Sequence, residues 1–216
     1  MEEAEKDKVS LDLIKSKKRV ADYGEVFTPP WLVESMLELT EESDRIDARF
    51  LEPAFGTGNF LIQILKRKLA IVELTTKKAG QERRRLALKA VMSIYGIELL
   101  KDNILECRKR LLIIFANFLE IGRTDEFYQA ASRVLSLNLI HGDTLKMRTI
   151  RNQPIIFAEW NYSGKGRFLR RDFLFQLLIQ TSGDKRNELE PTYVHDPMTV
   201  SEIAYSSKSQ ATRKML

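Results

Sequence analysis

Apolar residues recur at helical spacing in Trp31 to Leu39, from about Asn59 to an interruption near Gly80, in Gln81 to Met92, in Leu100 to Leu119, over residues 124–135, and in Phe168 to Gln180. Between them lie short apolar runs that read as strands: Arg49 to Glu52, Ser93 to Glu98, Leu137 to His141 and Pro154 to Ala158. Tyr23 to Pro30 cannot be regular throughout, because Gly24 and the Pro29-Pro30 pair force a turn; proline then suits the opening of the next helix. Thr40 to Asp47 reads as a polar loop. Strands alternating with helices predict an α/β fold, a mostly parallel sheet with helices on both faces. The boundaries that follow are a charged helical lead-in over 1–20, with Leu11, Leu13 and Ile14 as its apolar contacts, a central domain over 21–180, and a polar tail over 181–216.

Composition narrows the class. The chain has 216 residues, of which 44% are hydrophobic and 30% charged, enough to bury a core. One cysteine, Cys107, excludes a disulfide framework, and with only His141 and His195 a histidine or cysteine metal site is not expected. Met1 to Lys8 lacks the apolar centre of a signal peptide, and no apolar run approaches the ~20 residues of a spanning helix. These features predict a soluble, cytoplasmic protein. The net charge of +5 is uneven: residues 1–60 carry 8 basic and 14 acidic side chains, so the surplus lies further on. A polyanionic partner and solvated helix faces fit that balance equally well.

Ligands of open α/β sheets bind beyond the carboxyl ends of the strands. Glu52, Glu98 and Asp143 stand there, one after each of the first three predicted strands. Between the first strand and its helix, Gly56 and Gly58 allow a tight turn and close approach of a ligand to the backbone. A pyrophosphate is a poor fit to a strand end occupied by Glu52 and Pro53. S-adenosylmethionine suits it better, having an ammonium, a sulfonium, a ribose diol and an adenine amine, and no phosphate. Glu98 can accept both ribose hydroxyls, and Asp143 the adenine N–H. Taken singly, Glu52 reads as a cap or loop acid, Glu98 as a paired surface acid and Asp143 as a turn former; together they favour one ligand.

Phe50-Leu51-Glu52-Pro53-Ala54-Phe55-Gly56-Thr57-Gly58-Asn59-Phe60 resembles the first cofactor motif of the N6-adenine DNA methyltransferases of restriction–modification systems. Gly24-Glu25-Val26-Phe27-Thr28-Pro29-Pro30 resembles the amino-terminal motif of that family, which closes over the methionine part of the cofactor. Tyr95 to Leu99 and Ile140 to Thr144 resemble its second and third motifs. The resemblance covers about residues 20–180 and implies a Rossmann-like methyltransferase fold with S-adenosylmethionine as cofactor. The residues it assigns to the cofactor are Phe27, Thr28, Pro29, Glu52, Pro53, Ala54, Phe55, Gly56, Gly58, Asn59, Phe60, Glu98, Leu99, Asp143 and Thr144.

The family methylates an adenine flipped out of double-stranded DNA. It stacks the base on an aromatic ring and accepts hydrogen bonds from the amine, so that the lone pair points at the methyl group. It does this with Asn or Asp, two prolines, then Tyr or Phe, directly after the fourth strand. Here Glu159-Trp160-Asn161-Tyr162 follows Ala158. The expected roles are Tyr162 for stacking and Glu159 or Asn161 for the amine, although both prolines are absent. Either this altered site still transfers methyl groups, or the chain is a cofactor-binding subunit that assembles with an active methyltransferase or a DNA-recognition partner. An RNA or protein methyltransferase is a weaker reading, and a nicotinamide oxidoreductase the weakest.

Lys165, Arg167, Arg170 and Arg171 are candidates for gripping DNA phosphates, and equally for a solvated loop and helix start. Arg83-Arg84-Arg85 reads as a solvated helix face rather than a DNA clamp, Cys107 as a buried helix residue, His141 as a strand-end residue near the pocket, and Trp31 and Phe27 as core by default, with covering the cofactor as the alternative. The ~35 residues after Gln180 are too few for a target-recognition domain, so DNA specificity is expected from a partner chain or from further sequence.

Overall fold

The computed structural model describes residues 13–40, 45–77, 80–180 and 189–206. Its order is α1 (Lys17–Tyr23), α2 (Pro30–Glu38), β1 (Phe50–Glu52), α3 (Asn59–Thr75), α4 (Gln81–Met92), β2 (Ile94–Glu98), α5 (Lys101–Leu119), α6 (Glu126–Asn138), β3 (Leu139–Asp143), β4 (Arg148–Thr149), β5 (Ile156–Gly164), β6 (Arg167–Leu174), α7 (Phe175–Gln180), β7 (Tyr193–Val194), β8 (Met198–Thr199) and α8 (Val200–Tyr205). The fold is α/β, with parallel and antiparallel strands. Residues 1–12, which hold most of the predicted lead-in, fall outside the description.

Local chemistry sets the element ends that matter for the site. Ser16 caps α1 by accepting the Arg19 N–H, and Gly24 stops it in the left-handed conformation at φ 65°. Pro30 opens α2 as expected. In α3 the buried positions Leu61, Leu65, Leu69 and Val72 form one stripe, and in α5 Ile104, Cys107, Leu111 and Phe115 form another. These stripes, with α4 and α6, share the main core with Ile94 of β2 and Leu139 of β3.

The first sheet runs β1-β2-β3-β4, its first three strands parallel as the sequence predicts. Period-two alternation sends Tyr95 and Ile97 of β2 to the opposite face from Ile94, where they meet Ile155, Phe157 and Phe175. The Tyr95 and Phe157 rings meet edge-on at 5.6 Å. Long helices therefore cover one face. Among the described residues, the other is covered by the entry to β5 and the short helix α7, a correction to the expectation of helices on both faces.

Three further expectations change. The fourth strand does not end at Ala158 and is not parallel to the rest: β5 continues to Gly164 and pairs antiparallel with β6 in a second sheet with β7 and β8. The helix expected over Phe168 to Gln180 is instead strand β6 followed by α7, because alternate residues of β5 and β6 bury Ala158, Trp160 and Phe168 in the main core. Gly164, Lys165 and Gly166 all take positive φ, which makes them the hairpin turn between those strands. Residues 189–206, placed in a polar tail, add two short strands and α8, whose Ile203 is buried in the main core. A capping box of Thr199 and Glu202 starts α8.

Candidate functional site

β1 ends at Glu52, and the chain then turns through Pro53 to Gly58 into α3. Gly56 (φ 53°) and Gly58 (φ 89°) hold conformations that favour glycine. Space demands it as well: a Cβ on Gly56 would stand 3.1 Å from the Phe27 ring, and one on Gly58 would lie 2.3 Å from Cys107 Sγ. Cys107 is thus the buried helix residue anticipated, packed behind the loop, and burial pushes its thiol up to about 12.

Loop, wall and strand ends are tied to each other. Glu98 is buried; its Oε2 accepts the Gly56 N–H and its Oε1 the Leu100 N–H, each at 2.8 Å. The Thr144 hydroxyl donates to the Pro53 carbonyl, and Asn59 Nδ2 to the Thr28 carbonyl at 2.9 Å. Arg110 braces the loop from α5, donating to the Thr57 carbonyl at 2.9 Å and to Asn59 Oδ1 at 3.1 Å. His141, at the edge of this region, bonds the Leu99 carbonyl.

A cavity of about 450 Å³ lies over the carboxyl ends of β1, β2 and β3. It is lined by Glu52, Glu98 and Asp143, and also by Phe27, Thr28, Pro53, Ala54, Phe55, Gly56, Asn59, Phe60, Leu99 and Thr144. Of the residues expected at the cofactor, Pro29 and Gly58 do not line it: Pro29 caps α2 and Gly58 packs against Cys107. Sequence reasoning missed Tyr23, Gly24, Glu25, Val26, Leu100, Asn103, Gly142 and Leu145 as lining residues. Tyr23, Glu25 and Val26 adjoin or belong to the amino-terminal motif, which was a signal available for them.

Four carboxylates line the cavity, from Glu25, Glu52, Glu98 and Asp143, and no Lys, Arg or His does so among the described residues. They are not equivalent. Burial pushes the Glu52 carboxyl above its ordinary range, and one N–H from Ala54 only partly offsets it. No ion pair to Glu52 is present among the described residues. Asp143 accepts the Lys146 N–H at 3.1 Å and pairs with the Lys146 ammonium at 3.2 Å, which together hold it low, so it also forms the turn. No cluster of three or more His, Cys, Asp or Glu suited to a metal ion is present among the described residues.

The expected acceptor residues are elsewhere. Glu159 lies inside β5, 13% exposed, bound to Arg49 Nη2 at 2.6 Å, Arg171 Nε at 2.6 Å and Asn161 Nδ2 at 3.1 Å. Arg49 precedes β1, which places Glu159 at the amino end of that strand and the acidic cavity at its carboxyl end. Tyr162 accepts the Gly166 N–H at 3.0 Å, meets the Phe168 ring, and has the Arg85 guanidinium 4.3 Å above its own ring. Glu159, Asn161 and Tyr162 do not line the cavity. Residues expected to stack the target adenine and hold its amine thus stand apart from the acidic cavity, because an extended strand fixes where they point.

The candidate phosphate contacts are also engaged internally. Arg171 pairs with Glu159, Arg170 with Asp172 at 2.7 Å, and Arg167 with the Pro197 carbonyl at 2.8 Å and with Glu202. Lys165 occupies the hairpin turn. Arg83, Arg84 and Arg85 are not the solvated face predicted. Arg83 is buried over the Phe118 ring and pairs with Glu73, Arg84 lies over Phe127 and pairs with Asp125, and Arg85 covers Tyr162.

No family model matches the chain, and no curated protein or solved structure matches it. No helix among the described residues is long and apolar enough to cross a membrane.

Proposed function

We propose that the acidic cavity binds S-adenosylmethionine, and that the chain is the cofactor-holding part of an N6-adenine DNA methylation system with a Rossmann-like core. The observation that carries this is the lining: Glu52, Glu98 and Asp143 at three strand ends, no basic side chain among the described residues, and in Glu52 a half-buried acid without a cationic partner, whereas Glu25 is paired with Arg19 and Asp143 with Lys146. A buried charge without a counter-charge is costly, so a cationic ligand relieves Glu52 where a pyrophosphate would be repelled. Parallel order β1-β2-β3, with an acid at the end of each strand, supports the same reading. The cofactor supplies an activated methyl group. Glu52 faces its positive charge, the free lone pairs of Glu98 are available to the ribose hydroxyls, and Asp143 to the adenine amine.

Because Glu159 and Tyr162 are bound at other sites, the reading favoured is the subunit form, with the group that orients the target adenine supplied by a partner chain. Methyl transfer by this chain itself is the competing form. Calorimetry with S-adenosylmethionine is expected to show binding, weakened about tenfold or more in Glu98→Ala, as loss of charge-assisted hydrogen bonds implies. NADH is expected not to bind. Unchanged affinity in Glu98→Ala would remove the strand-end acids from the reading. Labelled cofactor and unmethylated double-stranded DNA separate the two forms: incorporation by the chain alone, abolished by Tyr162→Ala, would establish self-sufficient transfer and overturn the subunit form.

A further inference from the structure

The cavity wall from Gly24 to Thr28 has no regular hydrogen-bonded structure of its own, and one carboxylate gathers its contacts to the body. Glu25 is 9% exposed. It receives Arg19 through Nε and through Nη2 at 2.7 Å, and Asn103 Nδ2 at 2.6 Å. Arg19 belongs to α1, whereas Asn103 lies in the first turn of α5, directly after Glu98, Leu99 and Leu100. Glu25 therefore joins the amino-terminal segment to the acid-bearing end of β2.

The donors are themselves oriented. Arg19 Nη1 reaches Asp102 Oδ2 at 2.8 Å, and Lys15 Nζ reaches Asp102 at 3.1 Å and Glu106 at 2.9 Å. Asn103 Oδ1 accepts Lys15 Nζ at 2.8 Å, which fixes the amide so that its N–H₂ faces Glu25. Burial pushes the Glu25 carboxyl up, but the Arg19 and Asn103 donors outweigh it and leave it below its usual range, ionised at neutral pH. Among the described residues the wall's other ties are the Gly24 N–H to the Val20 carbonyl at 2.9 Å, the Glu25 N–H to the Arg19 carbonyl at 3.5 Å, the Phe27 N–H to the Leu13 carbonyl at 2.7 Å, Asn59 to the Thr28 carbonyl, and the Phe27 ring, which lies against Gly56 and near the Lys15 ammonium.

We propose that Glu25 is the clasp of the cavity: held by Arg19 and Asn103, it keeps the Gly24–Thr28 wall against the body, and a bound ligand leaves when that clasp opens. Arg19 and Asn103 are positioning residues that act through Glu25. The identity of the ligand rests on the S-adenosylmethionine reading above; the clasp does not. Arrival and departure pass through the same opening, so removing the clasp slows neither, and it accelerates departure more because the loosened wall also holds the bound ligand less well.

Two measurements test it on the full chain. Hydrogen exchange of the ligand-free protein is expected to show the Gly24 and Phe27 amides exchanging about tenfold faster in Glu25→Gln and in Asn103→Ala, with the Ile97 amide of β2 unchanged. Stopped-flow dissociation of S-adenosylmethionine is expected to be about tenfold faster in both variants, with the association rate altered less than about threefold. Asn103→Asp sets a second carboxylate against Glu25 and is expected to be worse than Asn103→Ala, an order that loss of packing alone would not give. Unchanged exchange at Gly24 and Phe27 in Asn103→Ala overturns the clasp, and that variant decides the matter if Glu25→Gln does not fold. Faster exchange in a protein that fails to bind S-adenosylmethionine would remove the cofactor reading and leave the clasp standing.

Discussion

Glu52 is half-buried at the end of β1, its carboxyl pushed up by burial and met only by the Ala54 N–H. A group whose pKa is raised on folding stabilises the native state when protonated and loses that contribution as pH rises through the folded value. Where it is ionised, Glu52 is therefore a net cost to the free protein and an asset only to a cationic ligand. Glu52→Gln is expected to raise the melting temperature of the ligand-free chain at pH 7, with the gain vanishing near pH 4, and to weaken S-adenosylmethionine binding. Melts at the two pH values with matched calorimetry check this; a Gln variant no more stable at pH 7 would mean that Glu52 is well solvated. Such a residue was legible in the sequence only in company, as one of three acids that each follow a predicted strand. The pairing of Glu25 was not, although its motif was, because its partners Arg19 and Asn103 are brought to it by two different helices. Local pattern does not register a contact between residues 25 and 103.

Among the elements, the parallel trio β1, β2 and β3 followed from apolar runs bounded by turns, and the hairpin of β5 and β6 did not. A polar Glu159 inside a strand reads as the end of that strand unless Arg49 and Arg171 are known to flank it. Phe168 to Gln180 has apolar spacing that suits a helix, yet pairing with β5 imposes period two up to Leu174. Asn138, fully buried at the end of α6, joins the two sheets. Its amide donates to the Met92 and Ile94 carbonyls at 3.2 and 3.0 Å, and its oxygen accepts Trp160 Nε1 at 3.2 Å. Asn138→Ala strands three buried polar groups and is expected to cost about 2–4 kcal/mol, read from urea unfolding. A loss below about 0.5 kcal/mol would show that the sheets hold together without it.

At the scale of the whole molecule, both ends of the described chain brace the middle: α1 and its clasp close the cavity, and α8 completes the main core through Ile203, with Met198, Val200 and Ala204 packed against it. Ending the chain after Pro197 is expected to lower stability by about 2–5 kcal/mol, the range for losing buried aliphatic contacts, and a melt no different from that of the full chain would contradict this. Hydrophobic periodicity and glycine and proline punctuation were enough to specify the α/β class, the first three strands and the acids at their ends, since each depends on neighbours within one or two turns of chain. The gathering of four carboxylates around one hollow, the remoteness of Glu159 and Tyr162 from it, and the burial of the Arg83 and Arg84 side chains were decided by tertiary structure. Each depends on which distant backbone segments meet, and a side chain's charge, exposure and direction take their meaning only from what the fold sets beside them.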